Sequence, residues 1–193
     1  PTFVLGVGLG GLIILNLLEK TELPIEGILL FSPMLELKRD YKGRKNKLIS
    51  NVGKISKDTR FKVGITPQDL TRNDEIIEET ANDGLMLKKV TYSWYNLINE
   101  KMKETMDHIR DIKPISALIM YGTKDKILET QSINEMKDKL KSKEMYFKVW
   151  DGLYHEIHNE PERDLVMRYV LSFLNNSVNT MGFIVNEEEI EDI

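Results

Sequence analysis

Cysteine is absent from this sequence, which removes disulfides, thiolate metal ligands and a cysteine nucleophile together. Such usage fits a reducing compartment. Histidine is scarce: His108, His155 and His158 are the full set. They form no His/Cys cluster, so neither a metal site nor any other cofactor is expected. Positive charge is not in excess, since 27 Lys and Arg face 31 Asp and Glu for a net charge of −4. Without a basic face, nucleic acid is not an expected partner. Long apolar runs are missing as well. The stretch from Phe3 to Leu15, FVLGVGLGGLIIL, falls short of the ~20 residues a spanning helix needs. It also lacks the basic start and small-residue cleavage site of a signal peptide. No transmembrane segment is therefore expected, and the protein should be cytoplasmic, free or lying against a membrane surface.

What is present is ordinary for a globular chain: 41% hydrophobic and 30% charged over 193 residues, enough for one domain with a substantial core. Thr2 to Leu5 is a short apolar run. A glycine cluster follows, then Leu12 to Lys20, which together read as strand, tight turn and helix. GILLF at 27–31 is a buried strand stopped by Ser32-Pro33. From Leu37 to about Pro114 the chain becomes Lys-rich, with helical rather than strand periodicity. Ile76, Ile77 and Thr80 suggest one short helix there. Val90, Trp94, Leu97, Ile98, Met102 and Met106 trace a longer amphipathic one. Alternation then returns, with a strand over Ile115 to Tyr121, a helix through Ile133, Met136 and Leu140, and a strand over Met145 to Trp150. A last helix starts near Asn159 to Glu162 with Pro161 in its first turn.

Strands joined through helices run parallel, so the expected fold is α/β with a covered parallel sheet. The divisions expected are a core at 1–36, a helical lid at 37–114, a second core segment at 115–175 and an acidic tail at 176–193. In such sheets, function gathers beyond the carboxyl ends of the strands. Three loops qualify: Gly6–Gly11, Gly122–Ile127 and Asp151–Ile157.

His155 and Asp125 each follow a strand and stand thirty positions apart, one strand–helix–strand step. Neighbouring parallel strands ~4.8 Å apart would bring both loops to one sheet edge, where a carboxylate-oriented imidazole makes a general base. In hydrolases of this architecture the nucleophile sits in G-x-S-x-G at a sharp strand-to-helix turn, ahead of the acid and the histidine. The first turn here reads Gly6-Val7-Gly8-Leu9-Gly10-Gly11, so the serine position is Gly8.

With these residues in view, the chain resembles the monoacylglycerol lipase and lysophospholipase branch of the α/β-hydrolases, as a partial fold without its first strands and with a helical lid. GILLFSPML at 27–35 resembles the family's strand ending in S-P-M-L. Leu70 to Glu75 and Asn82 to Leu85 resemble its lid segment imperfectly. Gly122 to Asp125 matches G-x-x-D, and His155, Glu156, Glu160 and Arg163 match H-E-x-x-x-E-x-x-R in register. The resemblance implies hydrolysis of a carboxylic ester of an acyl lipid, with His155 as base, Asp125 orienting it and the amide of Leu9 in the oxyanion hole.

Two departures matter. Val7 and Gly8 stand where the family has histidine and serine, so the acyl-enzyme route cannot run as written. Loss of such a nucleophile costs about 10⁶ in rate in a serine protease. The sequence also opens almost on the elbow strand, so the loop bearing the second oxyanion amide is not within it. The expectation is a fragment, or one part of a protein completed by an N-terminal segment or a partner chain that covers an apolar sheet edge. Two alternatives remain. One is a non-catalytic member binding an acyl lipid or a protein. The other is a dinucleotide site, since Gly6, Gly8 and Gly11 also satisfy G-x-G-x-x-G.

Overall fold

The computed structural model describes residues 1–38 and 59–175. The first part of the expected lid, 39–58, and the acidic tail, 176–193, lie outside the described residues. Strand β1 (Phe3–Val7) leads through a sharp turn into helix α1 (Leu9–Leu18), and β2 (Gly27–Phe31) follows. Within the insertion, β3 (Arg60–Lys62) is followed by a single helical turn α2 (Pro67–Leu70) and helix α3 (Asp74–Asn82). Then come β4 (Lys89–Thr91) and the long helix α4 (Tyr92–His108). The core resumes with β5 (Ser116–Gly122), α5 (Gln131–Lys139), β6 (Met145–Trp150) and α6 (Arg163–Asn175).

The main sheet is parallel with order β1-β2-β5-β6, so β2 pairs directly with β5 across the whole insertion. All five residues of β2 are buried because both faces of the sheet are covered, as run-like apolar strands require. Alternate side chains supply the two cores. Ile28, Leu30, Ala117 and Ile119 pack with Leu12, Leu15, Ile133 and Met136 on one face. Leu29, Phe31, Leu118 and Met120 pack with Val166, Val170 and Phe173 on the other. Leu5 on the edge strand β1 and Ile13 and Leu17 on α1 are exposed. No described helix is long and apolar enough to cross a membrane.

Three local readings change. Val90, which its spacing assigns to the long helix, belongs to β4, which pairs antiparallel with β3. These two strands are three residues each, too short to show a period of two. Their pairing is held by Phe61, which stacks on Tyr92 at 4.7 Å and meets Tyr95 edge-on. The final helix begins at Arg163, after a 3₁₀ turn at Ile157–Asn159. Pro161 therefore precedes its first turn. Lastly, α1 starts at Leu9, directly on the glycine turn and three residues before the apolar run suggested.

Among the described residues, the insertion is bound to the core along α4 and around α2. Helix α4 lies on α1, where Asn16 Nδ2 donates to the buried Thr105 Oγ1 at 3.1 Å and Lys20 pairs with Glu104 at 3.0 Å. Around α2 the chain is laced to the loop after β6. Glu156 N donates to Leu70 O at 2.8 Å, and Thr71 Oγ1 to Asn159 O at 2.8 Å. The carboxylate of Glu160, fully buried, accepts from Arg72 Nε at 2.9 Å and from Tyr154 N at 2.6 Å. Arg72 also reaches Glu162. Removing Glu160 leaves Tyr154 N–H and Arg72 Nε without their acceptor, which costs about 2 kcal/mol. Glu160→Ala should lower the free energy of unfolding in urea by about that amount, whereas Asp164→Ala, at an exposed carboxylate, should leave it within about 0.5 kcal/mol.

Candidate active site

Asp125 lies in the turn after β5. Its Oδ1 accepts from the amides of Ile127 at 2.8 Å and Leu128 at 2.9 Å, the pattern by which an aspartate organises its own turn. That fixes the side chain and leaves Oδ2 for His155 Nδ1, 2.8 Å away. Asp125 is fully buried and His155 nearly so, at 0% and 6% exposure. The carboxylate thus orients the ring, with Nδ1 carrying the proton toward Asp125 and Nε2 aimed outward.

His155 is held from its backbone as well. Ser32, at the end of β2, donates its hydroxyl to His155 O at 2.8 Å and its amide to Met120 O at 2.8 Å. Ser32 is fully buried with φ 42°, a left-handed conformation unusual for a residue with a β-carbon. The acid and histidine loops are bonded to each other too, through Thr123 N to Trp150 O and Lys124 N to Leu153 O, both 2.9 Å. They approach so closely at Gly122 that a β-carbon there would fall 2.2 Å from Leu153 O. Only glycine admits this contact.

The third loop completes the arrangement. Gly8 has φ 51° and ψ −114°, and a β-carbon on it would stand 3.0 Å from His155 Nε2. The turn is pinned, with Gly8 N donating to Phe31 O and Gly8 O accepting from Met34 N, both at 2.9 Å. Leu9 opens α1, so its N–H has no carbonyl behind it within the helix. The structure therefore brings Gly8, Leu9, Asp125 and His155 to one edge of the sheet. Nε2 has no hydrogen-bond partner among the described residues. Among those residues there is also no group of three or more His, Cys, Asp or Glu able to hold a metal.

Two neighbours were not singled out as site residues. Ser32 reads in the sequence as a strand stop and as part of SPML, and its bond to His155 spans 123 positions, beyond the reach of local spacing. His158 tilts against Phe31 at 6.0 Å between ring centroids, and its Nδ1 is buried without a partner among the described residues. Burial pushes the His158 pKa down from 6.5.

Since His158 binds a proton more weakly folded than unfolded, its neutral form stabilises the fold above pH 6.5. That contribution is lost as pH falls below 6.5 toward the depressed folded value. A His158→Phe variant should show a shallower loss of thermal stability over that range. At Ser32, Ser32→Ala removes the hydroxyl but keeps the strained φ, whereas Ser32→Gly removes both. The alanine variant should be less stable than the glycine variant by about 1 kcal/mol, read by chemical denaturation.

The chain is similar to known proteins along most of its length. A family model described as serine aminopeptidase, S33 (Hydrolase_4) matches residues 1–162. Phospholipase YtpA of Bacillus subtilis is 28% identical over 179 residues, 92% of this chain and 69% of that protein. The crystal structure of a Paleococcus ferrophilus monoacylglycerol lipase superposes with a TM-score of 0.79 at 23% identity, over 89% of this chain and 67% of that one. A soluble variant of monoglyceride lipase from Saccharomyces cerevisiae, in complex with a substrate analog, gives 0.80 at 18% identity, over 93% and 63%. The chain spans about two thirds of the length of these relatives. It belongs to the serine aminopeptidase S33 family of α/β-hydrolases.

Proposed function

We propose that the chain carries the acyl-ester site of a monoacylglycerol lipase or lysophospholipase from which the covalent step is missing. The supporting observation is the placement of His155 between its two neighbours. Its Nδ1 rests on Asp125 at 2.8 Å, and its Nε2 lies 3.0 Å from the point where a side chain on residue 8 would begin. In this reading His155 is the general base, Asp125 orients it, the Leu9 amide faces the developing oxyanion, and Gly8 holds the nucleophile's place without a nucleophile. The family relationship, with a phospholipase and monoglyceride lipases among the similar proteins, favours a glycerolipid ester as the ligand. The insertion over 37–114 acts as a lid. Its exposed Leu85, Leu87, Trp94 and Leu97 offer apolar surface to an acyl chain.

The same glycine favours a second reading, a pseudo-hydrolase that binds an acyl lipid without turning it over. Glycine occupies the positive φ of the elbow without a β-carbon penalty, so the fold persists while the attack on a carbonyl is lost.

A fluorophosphonate probe should leave this protein unlabelled and should label Gly8→Ser, since the added hydroxyl would sit beside Nε2 once the ring gives by a few tenths of an ångström. Labelling of the unmodified chain at the elbow would contradict the proposal. Titration with a monoacylglycerol separates the two readings. Quenching of Trp94 fluorescence with no glycerol release from this protein or from Gly8→Ser would favour the binder.

A further inference from the structure

We infer that the chain docks on an anionic lipid surface through the β3–β4 ribbon and the turn that leads into β4, a contact that goes beyond the ester site and involves neither Gly8 nor His155. The net charge of −4 conceals a local cationic face. In this antiparallel pair Arg60 lies opposite Thr91, Phe61 opposite Val90 and Lys62 opposite Lys89. Side chains alternate along a strand, so the buried Val90 shares the inner side with Phe61, which packs on Tyr92 and Tyr95. Arg60, Lys62 and Lys89 take the outer side, and all three are exposed. Lys88, also exposed, directly precedes the strand. Among the described residues none of these four side chains has a hydrogen-bonding or ionic partner. Like charges directly opposite each other destabilise an antiparallel pair. Lys62 and Lys89 therefore stand together at a cost that an array of anions offsets.

The adjoining turn selects a bilayer as the source of those anions. Leu85 and Leu87, 90% and 70% exposed, are the most exposed large apolar side chains among the described residues. Asp83 Oδ1 accepts from Leu85 N at 2.7 Å and so holds the turn that presents them. Trp94, 36% exposed, follows in the first turn of α4, where its amide donates to Thr91 at the end of β4. Apolar side chains on a turn beside lysines suit the boundary between headgroups and acyl chains, where leucines enter and cations remain among phosphates. Lysines on a short ribbon also deter pairing with other strands, but that role does not explain two exposed leucines next to them. Glu78, Glu79 and Asp83 precede the turn and offset part of the positive charge. Electrostatic attraction alone would thus be weak, and the leucines supply the remainder.

The experiment is cosedimentation of the unmodified chain with vesicles of phosphatidylcholine alone or mixed in equal parts with phosphatidylserine, at low and high salt. The expected result is binding to the mixed vesicles, accompanied by a blue shift of tryptophan emission, and its loss at high salt. Lys62→Gln with Lys89→Gln should weaken that binding about thirtyfold, the equivalent of about 1 kcal/mol for each charge near the surface. Leu85→Ser with Leu87→Ser should weaken it about tenfold and reduce the blue shift. Lys141→Gln with Lys143→Gln removes the same charge from an exposed segment before β6 and should leave binding in place. Circular dichroism checks that each variant is folded. Equal affinity for both vesicle types, or binding undiminished in the folded ribbon variant, overturns the inference. An equal loss in the two lysine pairs overturns it too, since binding then follows net charge rather than the ribbon. Capture on immobilised polyglutamate without vesicle binding overturns it in favour of an acidic protein partner. Any of these failures leaves fluorophosphonate labelling of Gly8→Ser, and with it the ester site, untouched.

Discussion

The hydrogen bond between Asp125 Oδ2 and His155 Nδ1 organises this end of the molecule, and most of the neighbouring structure serves to make it possible. A carboxylate with no solvent exposure requires several donors. Asp125 finds them in the amides of Ile127 and Leu128 and in the imidazole. Those amides are available because the chain turns directly after β5. The imidazole is within reach because β6 runs beside β5 in parallel register, with Gly122 opposite Trp150. The close approach of the two loops at Gly122 then fixes their separation.

The same edge explains how the family's fold survives the glycine at position 8. The elbow is a strained turn, and its conformation is set by backbone bonds from Gly8 to Phe31, Met34 and Gly11, none of which involves a side chain. On the proposed reading, a glycine there leaves the nucleophile's place empty while these backbone bonds keep the turn. A second strained residue, Ser32, persists for a different reason. Its left-handed φ is held together with the bonds from its hydroxyl to His155 O and from its amide to Met120 O.

The insertion between β2 and β5 is linked to the histidine loop rather than standing apart from it. Glu160, buried and bonded to Arg72 and Tyr154, connects α2 to the segment bearing His155. Glu160 and Arg163 could be aligned to a motif from spacing alone, but the partner of Glu160 turned out to be Arg72, 88 positions earlier.

The amino-acid sequence by itself determined the parallel α/β scheme, because β2 is an uninterrupted apolar run and β6 is apolar but for Lys148, both bounded by turn residues, and their ends were legible to the residue. Gly8, Asp125 and His155 were likewise readable, since their order and their positions after strands are one-dimensional facts. Only the tertiary structure decided the 3.0 Å approach of Nε2 to the elbow, the bond from Ser32 to His155, the clamp of Arg72 on Glu160 and the pairing of β3 with β4. Each joins segments far apart along the chain. Local hydrophobic period and turn chemistry describe how a segment folds against its immediate neighbours. Which distant segment it then meets depends on how the layers pack, and that carries no signature within a short window of residues.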